Sequence, residues 1–122
     1  MSGVGDRLTT VATVHDVRRI ALALPRAYEA IVGDRIKFRV GRLVFASLSR
    51  DETLLGFGFP REERASLVAS DPDKFRMPER SDERYNWVRL ELAVVDDAEL
   101  AELLTDAWGM CVPKKLRESY CR

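Results

Sequence analysis

Histidine and cysteine are almost absent from this sequence, which contains one of the first, His15, and two of the second, Cys111 and Cys121. A lone His in what reads as the first turn of a helix, with no Cys or His beside it, is a solvated side chain and neither a metal ligand nor a proton shuttle. Two cysteines make neither a disulfide framework nor a zinc site. They read as free thiols in a reducing compartment, although the nine residues between them leave a bridge geometrically conceivable. Net charge is missing too: 20 Lys and Arg balance 20 Asp and Glu. The chain as a whole is therefore no electrostatic magnet for nucleic acid or membrane, and polyanion binding requires cations segregated on one surface. No apolar run approaches the roughly 18 residues of a membrane span, and the N-terminus lacks the positive-then-apolar pattern of a secretory signal. These absences predict a cytoplasmic protein without a membrane partner.

The familiar catalytic patterns are also lacking. The sequence has no Gly-x-x-x-x-Gly-Lys phosphate loop, no His-Glu-x-x-His, no Gly-x-Ser-x-Gly and no dinucleotide fingerprint. No enzymatic activity, no cofactor and no metal are expected. Glu62-Glu63 and Asp96-Asp97 are paired carboxylates, a pattern able to do acid/base chemistry. Each pair, however, opens a predicted helix, where the helix dipole accounts for it.

What is present specifies a small α+β domain. A chain of 122 residues fits one domain and buries about two thirds of its unfolded surface, enough for a core without metals or disulfides. Residues 1–12 read as a flexible leader and 13–122 as the folded domain. Thr13 and Asp16 mark a helix start, and Val14, Val17, Ile20, Ala21 and Leu24 recur at helical spacing until Pro25 ends the run. Arg26 to Asp34 connects this helix to the sheet. Three strands follow in succession, Arg35 to Val40, Leu43 to Leu48 and Thr53 to Phe59, joined by a tight turn at Gly41-Arg42 and a polar turn at Ser49 to Glu52.

Pro60 opens a second, short helix that closes before Asp71-Pro72. A long polar loop runs from Asp71 to Asn86, with Phe75 and Met77 tucked beneath it. Asn86 to Val95 reads as the fourth strand, Asp96-Asp97 cap a last major helix, and Lys114 to Arg122 form a short basic helix or tail. Trp108 lies on the apolar face of the last major helix and belongs to the core. Gly56 and Gly58, alternating along the third strand, allow a backbone or a large side chain to lie close against it.

The charge pattern that could carry function is in the first strand. Ile36, Phe38 and Val40 alternate with Arg35, Lys37 and Arg39, which sends the apolar set to a core and the three cations to the opposite face. Such alternation is also the ordinary solubility solution of a half-exposed sheet. A functional reading needs cations from other strands, and Arg42 and Arg89 are the candidates, with Lys114, Lys115 and Arg117 able to extend the footprint. Phosphates call for cations of this kind.

Several features, taken in order, resemble the MmcQ/YjbR-like family of small bacterial proteins: Leu24-Pro25, Phe38 with Gly41, Phe45-Ala46, Asp71-Pro72, Trp87-Val88, and Asp106 through Trp108 to Pro113-Lys114-Lys115. The family usually has Ser-Tyr where this chain has Ala107-Trp108. The resemblance implies a frataxin/CyaY-like fold, a single-domain antiparallel sheet with helices packed on one face, and DNA binding through a double-wing sheet and its hairpins. It predicts a non-enzymatic domain whose partner is double-stranded DNA. Frataxin itself suggests iron binding, but the first helix here carries Asp16 followed by Arg18-Arg19 and no ridge of carboxylates. Two rival expectations remain: a module that binds a protein partner through the exposed sheet and Trp87, and a small-ligand site between the sheet and the Asp71 to Asn86 loop.

Overall fold

The computed structural model describes residues 11–120, which form six strands and four α-helices. Helix α1, Val14–Leu22, starts where Thr13 and Asp16 exchange hydrogen bonds. The Thr13 hydroxyl accepts from the Asp16 amide and the Asp16 carboxylate accepts from the Thr13 amide, so two otherwise orphaned donors are satisfied. Burial alone would raise the Asp16 carboxyl, but bonds from the Thr13 amide, Arg19 and the Thr13 hydroxyl together hold it below the usual carboxylate range. Val17 and Ala21 are buried, which fixes α1 against the sheet. The chain then passes through β1 (Ala27–Val32), β2 (Arg35–Val40), β3 (Leu43–Leu48) and β4 (Leu54–Gly58). After a 3-10 turn come α2 (Arg64–Ser70), the two-residue strand β5 (Phe75–Arg76) and β6 (Trp87–Glu91). Helices α3 (Asp97–Gly109) and α4 (Lys114–Tyr120) end the fold.

The strands make one sheet in the order β1-β2-β3-β4-β6-β5, and every neighbouring pair is antiparallel. Two-residue turns at Gly33 and Gly41 join the first three strands; both glycines have positive φ, +67° and +61°, a conformation that disfavours side chains with a Cβ. The covered face of the sheet carries Phe38, Ala46, Leu48, Leu55, Phe57, Val88 and Leu90, all buried. Against them pack Leu100, Leu104, Ala107 and Trp108 from α3. Trp108 is completely buried, and its indole Nε1 donates to the Pro25 carbonyl at 2.8 Å, which ties α3 to the turn after α1. Among the described residues the α-helices pack on this covered face, and the opposite one is the open face.

The structure departs from the expected element list in four places. Arg26 to Asp34 is not a mere connection, because residues 27–32 form the edge strand β1, paired with β2 along its whole length. The fourth strand stops at Glu91, and Leu92–Val94 turn through a 3-10 helix that leaves Val94 47% exposed. The long loop contains β5 and a 3-10 turn at Arg80–Asp82. Phe75 is buried as expected, but Met77 is exposed and Pro78 takes its place beneath the loop. The folded part begins at least one residue before Thr13. Ala12 is buried and its amide donates to the Val95 carbonyl at 2.9 Å. Val11 is exposed, and residues 1–10 of the expected leader, with Cys121, lie outside the described residues. Cys111 is half-buried, and burial pushes its thiol above the ordinary range. Among the described residues no helix is long and apolar enough to cross a membrane.

Candidate nucleic-acid interface

Antiparallel register brings residues far apart in sequence into one line on the open face. Lys37 lies opposite Ser47, Ser47 opposite Gly56, Gly56 opposite Arg89, and Arg89 opposite Arg76. Lys37 and Arg89 therefore flank the middle of the sheet, three strand spacings or about 14 Å apart at the backbone. Arg35 and Arg39 project from the same face of β2, two residues to either side of Lys37. Arg42 stands exposed at the tip of the β2–β3 hairpin. Five of the cations proposed from sequence thus share one face.

Their pairing state separates them from the cations of the helical layer. Among the described residues, Arg35, Lys37, Arg39, Arg42 and Arg89 make no ion pair; Arg89 instead donates to the Met77 carbonyl at 2.9 Å. The buried Nε of Arg39 has no hydrogen-bond partner among the described residues. On the helical side, Arg18 pairs with Glu29 at 2.9 Å, Arg19 with Asp16 and Asp97, and Lys74 with Glu99 at 2.7 Å. The Glu99 carboxylate raises the Lys74 ammonium above its ordinary range. Unpaired cations on a solvated face keep their full charge available to an anion.

Lys114, Lys115 and Arg117 are elsewhere. They sit on α4, which packs on α3 through Tyr120 against Trp108, with ring centroids 5.0 Å apart. Lys114 faces Glu118, and Arg117 donates to the Gly109 carbonyl at 2.8 Å. These three are on the helical side of the sheet, so they do not extend the five-cation surface.

Two further features of the open face are not evident from the cation pattern. Trp87 folds back over β4: a Cβ built on Gly56 would lie 2.5 Å from the indole Nε1 and 2.9 Å from Cε2. Gly56 is therefore the seat of Trp87, the close approach that a glycine inside a strand permits. The segment from Met77 to Asn86 also curls over the sheet and brings Glu79 and Asp82 to the cationic face. Between loop and sheet lies a cleft of about 100 Å³ with Arg35, Lys37, Ser47 and Ser49 on one side and Arg89 on the other. It continues past Trp87 into a wider groove of about 530 Å³ bordered by Arg42, Val44, Tyr85 and Asn86. The interleaved glycines pointed to a close approach at this strand; the loop's course over the face has no counterpart in local pattern. Among the described residues no cluster of His, Cys, Asp and Glu is arranged to hold a metal ion.

Gly56→Ala tests this seat directly. The new methyl forces the indole to move, and because the ring is a half-buried side chain the stability loss should stay near about 1–3 kcal/mol. A shifted indole emission and a lowered melt are expected, and an unmoved spectrum with an unchanged melt would contradict the contact.

Fold and surface together define a class: a small α+β domain with one sheet face under helices and the other bearing unpaired cations beside an aromatic groove. The YjbR family model matches residues 22–110, from the end of α1 through α3, and the chain belongs to the YjbR family. Helix α4, with Lys114, Lys115 and Arg117, follows the matched segment. A solved structure, that of Deinococcus radiodurans protein DR2400 with a DUF419 domain, is 22% identical with a TM-score of 0.72, covering 91% of this chain and 90% of that chain. At that identity the likeness concerns the fold. No curated protein sequence matches the chain.

Proposed function

We propose that the protein is a cytoplasmic, non-enzymatic DNA-binding domain that contacts phosphates through the open face of its sheet. The observation that carries this reading is the gathering of Arg35, Lys37, Arg39, Arg42 and Arg89 on one face, none of them in an ion pair among the described residues, although Glu79 and Asp82 border the same cleft. Formal neutrality of the chain makes that segregation necessary, since binding cannot come from overall charge. Arg42 stands exposed at the tip of the β2–β3 hairpin. Trp87 is seated against Gly56 and bordered by cations, which suits a charged ligand better than the dry apolar patch of a protein docking site.

A labelled duplex titrated across a salt series tests the proposal. Five phosphate contacts give a slope of about −4.5 for log affinity against log salt. An Arg35→Glu, Lys37→Glu, Arg39→Glu variant, verified as folded by circular dichroism, should bind far more weakly and with a slope reduced by at least about 2.7. Equal binding by the two proteins, or none by either near physiological salt, removes the assignment.

A further inference from the structure

The open face offers more than a row of charges. The narrow cleft, lined by Arg35, Lys37 and Arg89, by Ser47 and Ser49, and by Glu79 and Asp82 of the loop, holds about 100 Å³, room for a small anionic group and little else. The adjoining groove of about 530 Å³ falls within the range of ligand-sized sites, roughly 300–1,000 Å³. It has an aromatic at two borders, Trp87 and Tyr85, and polar groups able to meet a heterocycle's edge, the Asn86 amide and the Asp82 carboxylate. Lys37, Asp82 and Trp87 line both spaces, so the two are continuous. Both aromatics are held in position. Trp87 lies on Gly56, and the Arg84 guanidinium sits 4.9 Å from the Tyr85 ring centroid while Nη2 donates to the Tyr85 hydroxyl at 2.8 Å.

We propose that this groove takes one unpaired nucleotide of a DNA strand, its base against Trp87 and its phosphate at Arg35 and Lys37. The inference rests on the DNA-binding reading above and adds the state of the strand. A duplex keeps its bases stacked and presents only phosphates and groove edges to the outside. An indole flanked by cations is instead the arrangement that holds single strands, because every base has a face to stack and a backbone to neutralise. Size gives the nucleotide its direction: the narrow cleft admits a phosphate but no base, and Arg35, Lys37 and Arg89 outnumber Glu79 and Asp82 there, while the Asp82 carboxylate, which borders both spaces, can accept from an exocyclic amine or ring N–H of a base in the wider groove.

The test compares a short thymidine homopolymer, a duplex of equal length and free thymidine monophosphate, all at one salt concentration and read by tryptophan fluorescence. Trp108 is completely buried, so quenching reports Trp87. The single strand should bind at least about tenfold more tightly than the duplex and quench the indole. Trp87→Leu should weaken single-strand binding roughly ten- to a hundredfold with an unchanged salt slope, and Trp87→Phe should recover part of the loss. If Trp87→Leu does not fold, quenching of the native protein and the effect of Tyr85→Ala, at an exposed ring, decide the matter. Preference for duplex with no quenching overturns the inference and leaves DNA binding standing. Monophosphate binding as tight as the strand overturns it in favour of a free nucleotide. Binding to none of the three overturns the DNA reading itself.

Discussion

Trp108→Ala is expected to lose about 3–5 kcal/mol of stability, the range for deleting a large aromatic from a core. The side chain is completely buried, so its removal leaves a cavity between α3, the turn at Pro25 and Tyr120 of α4 that close-packed neighbours fill poorly. Its Nε1 hydrogen bond to the Pro25 carbonyl, 2.8 Å, is lost at the same time. Domains of this size have about 5–15 kcal/mol to lose, and the midpoint of thermal unfolding should fall by about 10–20 °C. Trp108→Phe separates the two contributions: the ring keeps most of the apolar contact and abandons the carbonyl, so it should lose about 1–3 kcal/mol. A thermal melt of the alanine variant within a few degrees of the native protein would mean that α3 is not anchored here.

That Trp108 belongs to the core was legible in its helical spacing with Leu100 and Leu104, and so were most elements around it. Strands β2 and β3 announce themselves because one face is dry and the other wet, which forces alternation, and because Gly41 sits at a turn with positive φ. Strand β1 gives no such signal. As the edge strand it is partly exposed on both faces, with Ile31 70% exposed, so Tyr28-Glu29-Ala30-Ile31-Val32 has no pattern to keep. The fourth strand is shorter than its alternation predicts, for the opposite reason. Leu92 and Val94 continue the alternation of Val88 and Leu90, but the Leu92 amide bonds to the Thr53 carbonyl and the Val95 amide back to Leu92, turning the chain off the sheet.

The cationic face divides in the same way. Period-two alternation places Arg35, Lys37 and Arg39 together, and antiparallel pairing adds Arg89. What local pattern does not contain is where a loop folds or which face of the sheet a terminal helix joins. Glu79 and Asp82 over the cations, and Lys114, Lys115 and Arg117 behind the sheet, are consequences of tertiary packing. Sequence reasoning therefore found the charges and missed the groove. The nearest clue was Gly56, whose missing side chain is the space that Trp87 fills.

Arg64→Met should be the largest single perturbation of that groove. Arg64 is the only charged side chain among the described residues that is buried, 7% exposed. Its guanidinium holds the far end of the loop: Nη2 donates to the Glu83 carbonyl at 2.8 Å, and Nη1 to the carbonyls of Tyr85 at 3.1 Å and Trp87 at 3.0 Å. Three acceptors on alternate residues, 83, 85 and 87, converge on one planar fork, a task for which an ammonium has the wrong shape. Methionine preserves the stem's packing but leaves those carbonyls without their donor. The expected loss is about 2–4 kcal/mol in the local opening free energy of the loop, less than three charge-assisted bonds in isolation because solvent reaches part of the loop. Arg64→Lys should recover only a fraction. Hydrogen exchange should accelerate selectively in residues 83–87, while the covered core, including Leu90 and Leu104, exchanges as before. Uniform acceleration across the sheet would assign Arg64 to global stability instead of to the loop. Because Tyr85 and Trp87 are two of the residues it holds, the folded methionine variant should also bind single-stranded DNA more weakly with an unaltered salt slope. Phosphate contacts on β2 would survive, and the loss would come from the aromatic wall no longer being held in place.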